Sequence, residues 1–517
     1  GALHGDPEED VNGNNAAASS EASALRPEVG DGAESDLLRV FEVVLQSYLQ
    51  KVGVLIQARQ GEHRALKADV WRVLLRLSYG ALDRVRELQE QCRQRLGAKD
   101  VHAGVDVRAN LRTVLYSQTK AIVEEFDKRC IERLECALDQ ERWDRTDVPS
   151  QYKVILDQLL GKEQRKDLDA VDQGVERFLH VDGQHFLVVP AVLTLIQLLN
   201  DYLRLCMEFE TLPEVIVQRM CSLLKMFNGR THQLVLLGQA VSKETLKKIN
   251  ASNLALCSQS CGLVAQILPS LQTHLQSMFA PEGAAAVAAA ASSGSTAAAR
   301  NAAALLVADL SKIAKEYDDH RTALFDKLSS ILVDRYNFHA KKWFSAPHQE
   351  AVESASSALW DGKDGAVAAP AAGETAEEAK GPLDILAHEA LDGFAKEVMN
   401  MYRVLLKHLT GDAVRRIFAK AFQDIAARFD QRLTQEVAAP SPPYEDEIGR
   451  SLGDRLLVDI AFMHERMEKL TGISTPLQHL LVDLVRHLQT RLPAAEPLKA
   501  LHPAALEALQ RAGRLPR

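Results

Sequence analysis

Cys257 and Cys261 stand four residues apart, a spacing that puts both thiols on one face of a helix and offers a thiol pair or half of a thiolate metal site. No second cysteine pair and no histidine at ligand spacing completes four donors. The sequence therefore favours two small, buried apolar side chains. Asp318-Asp319-His320 carries three donors in a row, but neighbours on a helix point in different directions, which reads as a solvated face with one inward histidine. His464-Glu465 and His388-Glu389 each begin like a zinc-protease helix. The positions four along are Glu468 and Asp392, where such a site needs its second histidine. Gly449-Arg450-Ser451-Leu452-Gly453 matches the G-x-S-x-G string of hydrolases, which works only on a sharp turn from a strand into a helix. Here it follows the proline-rich run Ala438 to Pro443 and an acidic helix start, so hydrolysis through Ser451 is the alternative from another class. Gly161-Lys162 and Gly362-Lys363 lack the hydroxyl residue and the preceding glycine spacing of a phosphate loop. The expectation is a non-enzyme with no catalytic, cofactor-binding or metal-binding residues and no cofactor. Lys243, Lys247 and Lys248 with Arg230 form a basic cluster, read first as cations capping helix ends and second as a contact for an anionic membrane or acidic partner.

The elements that carry these residues are helical. Only 28 of 517 residues are aromatic (15 Phe, 9 Tyr, 4 Trp), so Leu, Ala and Val must fill the core, which favours helices over sandwiches. Leu66, Val70, Leu74, Leu77, Ala81, Val85, Leu88, Cys92 and Leu96 recur near the helical turn and predict one bundle helix. Leu111, Leu115, Ile122, Phe126, Leu134 and Leu138 predict a second. Asp147-Val148-Pro149 breaks it, and a new helix is expected near Ser150. Val181-Asp182-Gly183-Gln184 predicts a turn before an apolar helix from Phe186 to Leu205, with Pro190 in its first turns. Thr211 and Glu214 have capping-box spacing, and Val215, Ile216, Met220, Leu223, Leu224 and Phe227 define the buried face of the helix that follows. Gly229 or Gly238 is expected to bend or end it. Leu305 to Phe344 reads as one long amphipathic helix. Leu383 to Leu409, Asp412 to Leu433, Ile448 to Leu470 and Thr475 to Leu492 read as two helical hairpins. Strand periodicity is nearly absent.

The fold class predicted is all-α, an elongated helical rod of consecutive helical bundles. Its expected divisions are a disordered acidic tail (1–34), a first bundle (35–180), a central bundle (181–280), an Ala-rich linker (281–303), a long helix (304–344), a second linker (345–381) and a last bundle (382–517). Nine of the acids fall in residues 1–36 with only Arg26 among them, so the net charge of −9 belongs almost wholly to the tail. The remainder is near neutral, which removes the basic excess of a nucleic-acid binder. Seven dispersed cysteines read as reduced thiols in a cytosolic setting. The most apolar stretch, Phe186 to Leu199, is shorter than the roughly 20 residues of a membrane span.

Several segments carry a resemblance. They are Gln140-Glu141-Arg142-Trp143 through Val148-Pro149, Val181 to Val189 with Gly183, Ser222 to Leu236 with Phe227, Asn228, Arg230 and Gln233, Lys248-Ile249 with Asn253-Leu254-Ala255-Leu256, and Glu316 to His320. Together they resemble the vacuolar protein sorting-associated protein 54 family, subunits of the Golgi-associated retrograde protein (GARP) tethering complex, most densely over residues 104–280. The resemblance implies a helical-rod vesicle tether acting in retrograde transport from endosomes to the trans-Golgi network, without catalysis. It implies the other GARP subunits and SNAREs as partners, with small GTPases and endosomal membrane beside them, at the cytosolic face of those compartments. It also implies that this chain corresponds to the carboxy-terminal half, and that the family's amino-terminal coiled coil is not represented. Trp143, Pro149, Gly183, Phe227, Asn228, Arg230, Gln233, Asn253 and Leu254 are its signature positions, expected to serve in packing, in capping turns or in partner contact. Another helical-rod tether, exocyst-like or conserved oligomeric Golgi-like, and a helical adaptor away from membranes are the competing readings.

Overall fold

The computed structural model describes residues 31–66, 68–95, 108–162, 174–209, 212–242, 248–279, 301–302, 304–345 and 389–437. Expectations for the acidic tail before residue 31, most of the two Ala-rich stretches, Lys243, Lys247, His388, Ser451, His464 and the helices after residue 437 lie outside those residues. The chain divides into two compact units, residues 1–127 with 208–211, and residues 128–207 with 212–517.

The first unit holds α1 (Asp31–Ala58), α2 (Gln60–Arg64), α3 (Ala68–Arg95) and the first part of α4 (Ala109–Asp139). Its core contains Leu49, Trp71, Leu75, Leu82, Leu111 and Leu115. At Gly53 α1 faces α4, and a Cβ added there would meet Val114 and Leu111 at ordinary contact distances of 3.7 and 4.0 Å. The buried stripe of α3 differs from the sequence expectation. Trp71 and Leu82 are sealed, whereas Val70, Leu77 and Leu88, on the expected stripe, are about half exposed or more. The helix carries two adjacent apolar stripes, and an indole decides between them: it has the largest apolar area and an N–H that needs a partner. The Trp71 Nε1–H donates to Thr119 Oγ1 at 3.1 Å, and the Thr119 hydroxyl in turn donates to the Leu115 carbonyl at 2.8 Å.

The second unit starts with short extended pieces. β1 (Val148–Pro149) pairs antiparallel with β2 (Val175–Glu176), and α5 (Gln151–Leu159) lies between them in sequence. β3 (Leu179–Val181) and β4 (Gln184–Phe186) form a hairpin with His180 opposite His185. Its two turn residues, Asp182 and Gly183, both have positive φ (47° and 80°), the Asp-Gly signature of a type I′ turn. These strands are too short to show a period, which is why the sequence hides them. The expected helix from Phe186 therefore begins later: Phe186 closes the hairpin, Val188 bridges Thr146, and α6 runs Pro190–Glu208. Proline as the first helical residue explains the delay, because it disfavours helical geometry in the residue before it and gives up only an amide that would be unpaired anyway.

The remaining helices are α7 (Pro213–Thr231), α8 (Gln239–Ser242), α9 (Ala251–Phe279), α10 (Asp309–Ser345), α11 (Glu389–Leu406) and α12 (Gly411–Val437). At α7 the N-cap is Leu212, which makes no side-chain capping bond, and Pro213 is the first helical residue; Thr211 of the expected capping box lies outside the described residues. Gly229 does not interrupt α7. The helix passes into one π-turn, His232–Leu236, and Gly238 (φ 74°) follows it. Buried Ile216, Met220, Leu223, Leu224 and Phe227 form its inward face, as the pattern predicts. α10 packs along α9 and also against α7, α11 and α12. The Ser329 hydroxyl reaches the Ile417 carbonyl at 2.9 Å and ties α10 to α12. Leu305, expected to begin the long helix, is largely exposed ahead of it. α9 alone among the described helices is long and apolar enough to cross a membrane, yet 83% of that apolar window is buried among the other helices. It is the central core helix of the unit. The described residues are thus an all-α protein of consecutive helical bundles with two small strand pairs.

Candidate functional site

Two buried polar clusters converge on α9, one at its start and one a turn and a half further on. The first joins a backbone turn to two helix beginnings. Trp143 follows α4 in a left-handed conformation (φ 55°) with its ring sealed in the core. Such a backbone costs about 1 kcal/mol or more unless surrounding bonds enforce it. Glu141, itself buried, supplies two of them: its carboxylate accepts the Trp143 N–H at 2.8 Å and the Ala191 N–H, in the first turn of α6, also at 2.8 Å. Burial pushes the Glu141 carboxyl above its usual range, while hydrogen bonds from the Ala191, Trp143 and Arg142 amides oppose that shift. Asn253 closes the cluster from the other side. Its Nδ2 donates to the carbonyls of Arg142 and Trp143, both at 3.3 Å. Its Oδ1 accepts the Asn250 N–H at 3.0 Å while Asn250 Oδ1 accepts the Asn253 N–H at 3.0 Å, a reciprocal cap at the start of α9.

The second cluster lies where α7, α9 and α10 meet. Phe227 is sealed and stacks on Tyr317, whose hydroxyl donates to the Leu224 carbonyl at 2.8 Å. Burial drives the Tyr317 hydroxyl pKa well above its usual value. Asn228 lies one residue further on α7, and its Oδ1 accepts from His320 Nδ1 at 2.7 Å. The same imidazole nitrogen is 3.5 Å from Cys261 Sγ, and Cys257 completes a group in which one donor atom from each of the three residues lies within 4.8 Å of the others. All three are buried. The Cys261 thiol is lowered to about 6, first by a hydrogen bond from Cys257 and then by His320, against burial. The Cys257 thiol is driven well up, chiefly by burial. Cys206, buried without such neighbours, is pushed up to about 12. A thiol beside an imidazole is the pairing of a cysteine nucleophile and its base, but with both groups sealed inside the bundle no substrate can reach them.

The other signature positions are placed as follows. Arg230 donates to Gln233 Oε1 at 3.2 Å and to Asp139 Oδ1 at 3.1 Å, joining α7 to the end of α4. It is thereby engaged in an ion pair within the fold, while Lys248 is exposed. Leu254 is buried in α9. Pro149 pairs in β1, with the next amide, Ser150 N–H, donating to Gly174 at 2.9 Å. Gly183 occupies the hairpin turn, and Asp182 beside it is held below the usual carboxylate range by the Lys162 ammonium at 2.8 Å. The structure thus brings Trp143 to Asn253, and Phe227 and Asn228 to α10, and leaves Gly183 on a separate hairpin. Glu141 and Asn250 are the residues that sequence reasoning passed over. Asn250-x-x-Asn253 at a helix start has the spacing of a reciprocal cap, so that half was visible; the fifty-residue reach of Glu141 to α6 was not.

Among the described residues, a sealed helical core with polar ties between helix ends defines the class: an all-α protein of consecutive helical bundles. The family model described as Vps54-like protein matches residues 183–335, from the hairpin turn through most of α10. A human vacuolar protein sorting-associated protein 54 is 28% identical over 230 residues, which cover 43% of this chain and 21% of the human protein. The protein of that name from Drosophila melanogaster is 30% identical over 172 residues (32% of this chain, 18% of the relative), and the Arabidopsis thaliana relative, vacuolar protein sorting-associated protein 54, chloroplastic, is 24% identical over 304 residues (45% and 28%). No solved structure matches the chain. Over residues 183–335 the chain is similar to the Vps54-like family. It spans about a fifth of the length of the curated relatives it matches.

Proposed function

We propose that the chain is a helical scaffold within a multisubunit tethering complex that captures vesicles in retrograde transport from endosomes to the trans-Golgi network, alongside the other GARP subunits. The observation that carries this reading is the position of the Vps54-like match: residues 183–335 coincide with the α7, α9 and α10 core and its polar ties. In this reading Trp143, Phe227, Asn228, Asn253 and Leu254 hold the scaffold's shape, and Arg230 and Gln233 fix the α4–α7 junction. SNAREs, small GTPases and the endosomal membrane meet its outer faces, on the cytosolic side. The length and near-neutral charge of the helical part suit lateral protein contact better than nucleic acid.

Affinity capture of the endogenous full-length protein, followed by mass spectrometry, tests the proposal. Recovery of the other GARP subunits with endosomal or Golgi SNAREs is expected. Recovery of exocyst-like or conserved oligomeric Golgi-like subunits, or of an adaptor complex unrelated to membranes, overturns it.

A further inference from the structure

Two motifs that look incomplete along the chain meet in space. Cys257 and Cys261 lie one turn apart on α9, and His320, 59 residues beyond Cys261, comes from α10 with a donor nitrogen inside the same 4.8 Å group. The thiols and the imidazole are shielded from water, with both cysteines at 0% and His320 at 5% exposure. The His320 ring has its Nδ1 between Asn228 and the Cys261 thiol. Asn228 Oδ1 accepts its Nδ1–H at 2.7 Å, the carbonyl-type partner that metal-bound imidazoles use to fix their tautomer. That bond leaves Nε2 with a lone pair, and Nε2 is a buried nitrogen without a hydrogen-bond partner in a residue that is only 5% exposed. Coordination through Nε2 requires the ring to turn so that this nitrogen, in place of Nδ1, faces the thiols.

We propose that Cys257, Cys261 and His320 form a structural metal site for a zinc ion, assembled only when α9 and α10 dock. Two thiolates and an imidazole are a donor set that selects zinc over the hard cations, which require oxygen ligands. His232 neighbours the His320 ring but lies outside the three-residue donor group. The His232 and His320 centres are 5.2 Å apart. His232 is also the first residue of the π-turn, an irregularity that re-aims a helical side chain and recurs at functional positions. On binding, each coordinating thiol releases its proton to solvent and no redox change occurs. The ion clamps α9 to α10 within the Vps54-like segment, and this departs from the sequence expectation that the chain holds no metal.

The test uses the full 517-residue chain, purified under reducing conditions from zinc-supplemented cells, with metal content measured by inductively coupled plasma mass spectrometry. One zinc per chain is expected, and a strong chelator should strip it and lower the melting temperature, with recovery on adding zinc. Cobalt(II) loaded in its place should give the sulfur-to-cobalt charge-transfer band and the intense visible bands of a tetrahedral thiolate site. Cys257→Ala and Cys261→Ala, each a small apolar replacement, should lose both signals, while Cys206→Ala, at a buried thiol outside the group, should keep them; circular dichroism verifies that each variant is helical. Stripping and reloading the unmodified chain gives the answer even where a variant fails to fold. A zinc-free chain that yields no cobalt–thiolate band after reduction, or a band that persists in the Cys257→Ala, Cys261→Ala double variant, overturns the site.

Discussion

Asn253 offers the sharpest perturbation, because its side chain performs two separable tasks from one buried position. Oδ1 caps α9 through the Asn250 N–H, and Nδ2 holds the Arg142 and Trp143 carbonyls. Replacement by Ala removes both. Loss of the cap costs about 1 kcal/mol. Each long bond to a carbonyl adds roughly 0.5–1 kcal/mol, giving about 2–3 kcal/mol in all. At roughly 2–4 °C per kcal/mol that is a fall of about 4–12 °C in melting temperature. Asn253→Asp separates the tasks: it keeps an oxygen for the cap but turns a second oxygen toward two carbonyls. At neutral pH the variant should be less stable than Asn253→Ala by about 1–3 kcal/mol, since a buried charge then faces acceptors alone. The two carbonyls raise the pKa of the new carboxyl in the folded state above its unfolded value. Its protonated form is therefore favoured by folding, so the deficit relative to Asn253→Ala shrinks as pH falls toward 4 and grows as pH rises through the raised value. The assay is thermal and urea unfolding at several pH values, with hydrogen exchange in peptides spanning residues 139–150 and 250–258 to localise the loosening. Equal stability of the Asp and Ala variants across that range would refute the reasoning, because the Nδ2 contacts would then contribute nothing.

Glu141→Gln should destabilise by about 1.5–3 kcal/mol by losing a charged acceptor for the Ala191 and Trp143 amides. Because burial raises the Glu141 pKa from 4.5, the unaltered protein should lose stability as pH rises from there through the higher folded value, and a pH series of urea midpoints should show that slope flattened in the variant. Tyr317→Phe keeps the stack on Phe227 but deletes the 2.8 Å bond to the Leu224 carbonyl; a loss of about 1 kcal/mol in chemical denaturation is expected, and no change would mean water or an alternative donor takes over. Gly183→Ala forces an L side chain into positive φ at the hairpin turn and should cost about 1–2 kcal/mol by thermal unfolding, although nothing lies within 4 Å of the new Cβ; a neutral result would show the hairpin to be locally adaptable.

Legibility varied with the range of the interaction that decides each feature. The inward face of α7 and the α4 stripe of Leu111, Leu115, Ile122, Leu134 and Leu138 could be read directly, because helical periodicity and burial are the same information there. The position of Pro190 contained the true start of α6, but the apolar run Phe186 to Val189 has the composition of a helix and the burial of an extended strand. α3 shows the opposite failure. Periodicity correctly gave a helix, while Trp71 and its partner Thr119, 48 residues away, chose which of two stripes to bury.

The chain's residues by themselves determine that the described part is helical and where most of its helices run. The family resemblance is likewise written in short contiguous segments, and the Vps54-like match over residues 183–335 overlaps the later part of the expected 104–280 stretch and continues past it. The tertiary structure alone decides which separate groups become one site. Glu141 finds Ala191, Asn253 finds the Trp143 turn, and Cys257 and Cys261 find His320 across the α9–α10 seam. Local propensity and periodicity act over one or two turns and leave their mark in consecutive residues. The desolvation of polar atoms is settled between helices far apart in sequence, and only when the core closes around them must each one find its partner.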